Sequence, residues 1–207
     1  MVDLRSYVFL DSLQPQVAAC FGTISRGFLP TVGEAALVVE IAPGIAINRL
    51  TDVAVKGTDV RPGMQIVERR YGMLEVHSES QADVRQAGDA ILDALDLKQS
   101  DRLKPKVLSS QVIKHVDDLQ VQLINRGRMG MMLIAGESLY IMECQPAGYA
   151  AFAANEAEKA ANVNVVDIRM TGAFGRLYLG GEQRDIDVGS EAAIAAIESL
   201  DGREQEG

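Results

Sequence analysis

Hydrophobic and polar positions change period several times along the chain. "AALVVEI" (35–41) and "SLYIMEC" (138–144) are short apolar runs of the kind that form buried strands. A proline follows each, then a stretch with helical spacing: "GIAINRLTDVAVKGT" (44–58) and "AGYAAFAANEAEKAAN" (147–162). The proline is expected to open the helix, where its missing N–H costs little. "MQIVE" (64–68) with "YGMLEV" (71–76), and "NVVDIRM" (164–170) with "FGRLYL" (174–179), alternate as hairpin strands do. A second helix follows each hairpin. Ser80 and Asp83 are expected to cap the first, with Val84, Ala87, Ile91 and Leu95 along its inner face; Ile186, Ala193, Ile194 and Ile197 line the second.

The pattern is written twice. With a shift of 103 residues, Glu34 falls on Glu137, Glu40 on Glu143, Pro43 on Pro146, Lys56 on Lys159, Gly72 on Gly175 and Ile91 on Ile194, without a gap from Glu34 to Leu97. Such self-similarity marks a duplication. It predicts two domains, 1–103 and 104–207, joined around "LKQSDRLKPK". The order β-α-β-β-α makes each a ferredoxin-like α+β unit. An extra strand and helix precede it in both halves, in "YVFLDSLQPQVAACFGTI" and "QVIKHVDDLQVQLI".

Charge and composition remove several function classes. A formal net charge of −9 lacks the basic footprint of a nucleic-acid binder, and "NRGRMG" (125–130) reads as a solvated loop. "MVDLRSYVFLDSL" has no unbroken apolar core of a signal peptide, and no run approaches the roughly 20 apolar residues of a membrane helix, so no membrane partner is expected. Cys20 and Cys144 stand alone among apolar residues and read as buried thiols in a reducing compartment. His77 and His115 lie in different halves without a ligand cluster; both read as solvated surface residues, the second on a helix. No nucleophile elbow, P-loop or dinucleotide fingerprint is present, and the glycines of "GAFGRLYLGG" sit inside a hairpin. No enzyme, metal or cofactor is expected. "MGMMLIAG" (129–136) reads as buried packing, the alanine-rich helix as a close-packing one, and the tail "DGREQEG" as disordered.

"AANEAEKAANVNVVDIRMTGAFGRLYLGG" resembles the helix–strand–hairpin signature of bacterial microcompartment shell proteins, and "TDVAVKGTDV…VERRYGMLEV" follows the same plan. Two copies, with the strand–helix segment at the front of each, resemble the tandem, circularly permuted members. "GEAALVVEIAPGIAINRLTD", "VERRYG" and "QPAGYAAFAANEAEKAANV" are most similar to the gated, double-stacking trimers. The resemblance covers the whole chain. It implies a homotrimer forming a six-domain hexagonal tile, packed with other shell proteins around enzymes in the bacterial cytoplasm. A central pore would pass small metabolites, and two trimers would stack face to face. It also implies that Lys56 and Lys159 lie at tile edges.

The two hairpin tips differ. Glu68-Arg69-Arg70 is charged, whereas Thr171-Gly172-Ala173 is small and neutral. By resemblance Glu68 and Arg69 are the pore gate, Arg70 lines the pore and adds positive potential, and Thr171, Gly172 and Ala173 give the loop room. Gly72 and Gly175 read as places for backbone adjustment. A trimeric ferredoxin-like small-molecule sensor is the rival reading; it accounts for the duplication but not for the paired lysines.

Overall fold

The structure is a computed structural model and describes residues 2–204. It contains two four-stranded antiparallel sheets, one per half. The first is built from β1 (Asp3–Leu10), β2 (Ala35–Ala42), β3 (Arg61–Glu68) and β4 (Tyr71–Ser78), in the order β1-β2-β4-β3. Its helices are α1 (Pro15–Ile24), α2 (Ile47–Gly57) and α3 (Gln81–Leu95). The second half repeats this with β5 (Lys106–Ile113), α4 (Asp118–Gly127), β6 (Ser138–Gln145), α5 (Tyr149–Ala160), β7 (Asn164–Arg169), β8 (Gly175–Gly181) and α6 (Gln183–Glu198), in the order β5-β6-β8-β7.

The duplication reaches further than the sequence identities do. The bounds of β1 and β5, and of α1 and α4, also recur at a spacing of 103. So do irregularities that no sequence match announces. The register slips at Leu4/Ser6 and at Val107/Ser109, and again at Pro62/Met64 and at Val165/Asp167. The loop bonds recur as well: Leu13 N–H donates to Glu34 O at 2.8 Å and Val116 N–H to Glu137 O at 2.9 Å. Gly33 and Gly136 share a left-handed φ of 87° and 81°.

Several local expectations are met. The Ser80 side chain accepts from Asp83 N–H and caps α3, while Val84, Ala87 and Ile91 are buried. Others need correction. Pro43 and Pro146 sit in turns ahead of the helices, which begin at Ile47 and Tyr149; Pro15 opens α1 instead. His115 lies in the turn before α4, with φ 50°, and not on a helix. Asp201–Glu204 is not loose: Arg203 N–H donates to Arg102 O, its side chain reaches Asp3, and it bridges to Leu103. The last three residues of the tail lie outside the described residues.

The core explains how the halves join. In the first half α2 and α3 cover one sheet face through Leu37, Val39, Leu74 and Val76. The other face carries α1, and there the core runs on without a break into the second half, from Phe21, Val38 and Met73 to Ala150, Ala154 and Val165. The alanines of α5 are almost all buried, because small side chains let this helix lie against its own sheet and against α1 together. Cys20 and Cys144 are buried, as expected.

Candidate functional site

The gate candidates sit on the β3–β4 hairpin, whose two-residue connection is Arg69-Arg70. Arg69 has φ 51°, a left-handed conformation costing an L-residue roughly 1–2 kcal/mol. Glu68, Arg69 and Arg70 are exposed, and none of the ion pairs among the described residues involves them. Glu68 and Arg69 therefore form no pair within one chain.

The second hairpin tip comes to the first. Gly172, at φ 95°, lies so close to Glu68 that a β-carbon there would stand 3.5 Å from Oε1. Between the two tips is a cavity of about 10 Å³, lined by Glu40, Glu68, Tyr71, Thr171 and Gly172 among others. Ala173 is exposed beside it. The chain thus unites three of the predicted loop residues, Glu68, Thr171 and Gly172, while Ala173, Arg69 and Arg70 are exposed.

Gly72 and Gly175 meet a different need from the one expected. A β-carbon at Gly72 would overlap the carbonyl oxygen of Gly44, and one at Gly175 that of Ala147. Both allow close approach, and the tip's left-handed glycine is Gly172.

Behind the tips lies a buried ionic cluster that the sequence reading missed. The slip in register at Leu4/Ser6 bulges Arg5 inward. Its Nε donates to Glu40 Oε1 at 2.8 Å, with side-chain exposures of 8% and 2%. The guanidinium also stacks on Tyr71, 3.7 Å from the ring centroid. Glu40 Oε2 accepts from Gly148 N–H at 3.0 Å, tying the second half to the first. Burial pushes the Glu40 carboxyl above its ordinary range, against the opposing pull of Arg5 and the Gly148 and Ala147 amides. The recurrence of Glu40 at Glu143 was the available signal, but nothing local marks Arg5 as bulged.

His77 is fully buried, contrary to expectation. Its Nδ1 lies 2.9 Å from Glu75 Oε1, and burial raises the Glu75 carboxyl. The expectation failed because β4 is an inner strand covered on both faces. "MGMMLIAG" also differs: Met131, Met132 and Ile134 are half exposed, and only Leu133 is buried.

The two edge candidates are not equivalent. Lys56 bonds Asp52 at 2.7 Å on the open surface, its side chain 73% exposed. Lys159 is 29% exposed and held by Asp11 at 2.6 Å and Glu156 at 2.9 Å. Burial opposes its charge, but these two carboxylates outweigh burial and hold the ammonium above its usual range. Lys159 therefore also joins the halves. No group of His, Cys, Asp or Glu among the described residues has the arrangement to hold a metal. No described helix is long and apolar enough to cross a membrane.

Two permuted shell-type domains with facing hairpin tips define a tandem, permuted microcompartment shell protein. Residues 4–101 match the family model described as CsoS1D N-terminal domain. The chain is 58% identical over 206 residues to the carboxysome shell protein CcmP of Synechococcus elongatus, covering 100% of this chain and 97% of that protein. It is 50% identical to the carboxysome shell protein CsoS1D of Hydrogenovibrio crunogenus, covering 97% of each. Among solved structures it resembles the fused permuted hexameric shell protein MSM0275 of the RMM microcompartment (TM-score 0.94, 45% identity, 97% of this chain and 99% of that one). It also resembles the double ringed trimeric shell protein MSM0271 of the same compartment (TM-score 0.95, 40% identity, 99% and 100%). The chain belongs to the CsoS1D family of shell proteins, and is a structural protein, not an enzyme.

Proposed function

We propose that this chain is a gated tile of a carboxysome shell. Three copies form a hexagonal tile in which the six hairpin tips alternate around a threefold axis, and the pore between them passes small metabolites. Glu68 and Arg69 form the gate, pairing between chains because they do not pair within one. Arg70 adds positive charge at the mouth of an otherwise acidic protein, which favours anionic metabolites. Thr171, Gly172 and Ala173 leave the space into which Glu68 moves. Two such trimers stack face to face, a reading that the similarity to a double ringed trimeric shell protein supports. Lys56 is the exposed edge lysine that meets other shell proteins, and Lys159 shows a neighbouring tile only what Asp11 and Glu156 leave uncovered.

The observation that carries this reading is the meeting of the charged tip with the small one, Glu68 against Gly172, in a chain whose halves repeat. The test is the solution mass with images of the purified protein. Hexagonal particles of about 67 kDa, three times 22.3 kDa, or twice that, are expected. At high concentration they are expected to form sheets. A compact monomer removes the axis and the gate with it. A discrete oligomer that never forms sheets favours the sensor instead.

A further inference from the structure

The charged hairpin tip has a support that the neutral tip lacks. Tyr71, the first residue of β4, stands directly opposite Glu68 in the hairpin, so the two side chains are cross-strand neighbours. The Arg5 guanidinium covers the Tyr71 ring at 3.7 Å, and Arg5 is itself held by Glu40. Glu40 and Glu68 line the same small cavity, so the buried acid forms the inner wall beside which the tip acid stands.

With the shift of 103 residues, the places of Arg5, Glu40 and Tyr71 are taken by Leu108, Glu143 and Phe174. Leu108 has no charge to offer an acid. Glu143 bonds instead to Arg176 of the adjacent strand β8 at 2.8 Å, with both side chains partly exposed. Among the described residues no cation stacks on Phe174, which is 39% exposed. The chain thus builds a buried ionic stack behind Glu68-Arg69-Arg70 and leaves Thr171-Gly172-Ala173 without one.

As a device for stability the stack is a poor one. A buried ion pair is often no better than two apolar residues of similar volume. Arg5 Nη2 is moreover buried without a hydrogen-bond partner, which is a cost in its own right. What the stack does fix is direction. One oxygen of Glu40 holds Arg5 at Nε, and the other accepts from Gly148 N–H of the second half. A planar guanidinium so held presents its flat face to one ring in one place. The line Tyr71, Arg5, Glu40, Gly148 therefore runs from the charged tip into the half that carries the neutral one.

We propose that Arg5 and Glu40 are positioning residues of the gate: by bracing Tyr71 they hold Glu68 and Arg69 at a fixed height and angle against the second tip. This rests on the gated-tile reading and adds to it the part that aims the tip. Arg5 acts through Tyr71, and Glu40 through Arg5. The Arg70 carbonyl, which accepts from Gly44 N–H at 2.9 Å, ties the tip's backbone to the turn before α2. The brace orients its side chains.

The test compares the parent with R5M/E40M and Y71L, and uses Y71F, which keeps a ring for Arg5, as the conservative rescue. Hydrogen exchange of the segment 66–72 is read by mass spectrometry. Loss of the desolvated cation–ring contact is expected to speed exchange there about tenfold in R5M/E40M and Y71L, with β8 and α6 at the parent's rate and Y71F restoring the tip. Single-particle images are expected to show R5M/E40M at the parent's particle mass with a changed proportion of open and closed pores. Exchange that rises equally in every element makes the pair merely structural and overturns the proposal. An unchanged tip, or a loosened tip with the parent's proportion of pores, also overturns it and leaves the tile intact. A monomeric parent overturns both.

Discussion

Arg5 and Glu40 carry opposite charges in a place with almost no water, and each is there because of the other. Removing one partner strands a buried charge, at a cost of about 3–5 kcal/mol, whereas replacing both with apolar residues is often neutral. Glu40→Ala is therefore expected to lower the urea midpoint strongly, and R5M/E40M to recover most of the loss. If the double variant is no better than the single, the pair is not the unit that matters. The buried thiols and phenols give a second expectation. Burial pushes Cys20 and Cys144 from 9.0 to about 12, and Tyr7 from 10.0 to about 12. Since these pKa values are raised on folding, the stability they carry is complete below pH 9. It is lost as the pH climbs toward 12, because the unfolded chain releases its protons first. Unfolding midpoints at pH 8 and pH 11 are expected to differ in that sense, and native Cys20 and Cys144 to resist alkylation at pH 8 until the chain is unfolded.

At the scale of elements, the β3–β4 hairpin combines a rigid base with a strained tip. Gly72 must pass Gly44, so Gly72→Ala is expected to cost about 3 kcal/mol through overpacking, measured by chemical denaturation. Arg69→Gly is expected to raise stability by about 1 kcal/mol, since glycine takes the left-handed φ freely. Elements whose signals are local were readable in advance. The α3 cap, the strand alternation and the duplication all follow from spacing along the chain. What was missed depends on contacts far away in sequence. His77 looked like a surface residue because it is polar, and its burial follows from α1 covering the second face of β4. The bulge that turns Arg5 inward leaves no compositional trace. Met131 and Met132 are apolar as a core would be, yet the described residues leave each about half exposed. Of the candidate site, the two tips were legible through the repeat, but their meeting at Glu68 and Gly172 was not, because it depends on how the halves dock.

For the whole molecule, read as the proposed gated tile, the decisive quantity is the balance between an open and a closed pore. In the proposed tile three copies would bring three Glu68 and three Arg69 to one axis, where opposite charges 4 Å apart gain about 4 kcal/mol at an effective dielectric near 20. Desolvation cancels most of that, and exposed pairs net only about 0–1 kcal/mol. The left-handed Arg69 backbone takes away a similar amount in the conformation described here. With gains and costs this close, neither state of the proposed gate would dominate, and a ligand that contacts one state better would shift the population by its difference in affinity. Replacing Glu68 and Arg69 together with alanine removes the ionic contact; both side chains are exposed, and Glu68 meets the second half at the tip residue Gly172, away from the buried core that joins the halves. Trimer mass and melting temperature are expected to stay unchanged, and single-particle images are expected to show only open pores where the parent shows both kinds. Raising the salt concentration is expected to move the parent toward the same open population, because exposed ion pairs are screened. A double variant whose pores still close would mean that Tyr71 or the backbone, not the charged tip, forms the barrier.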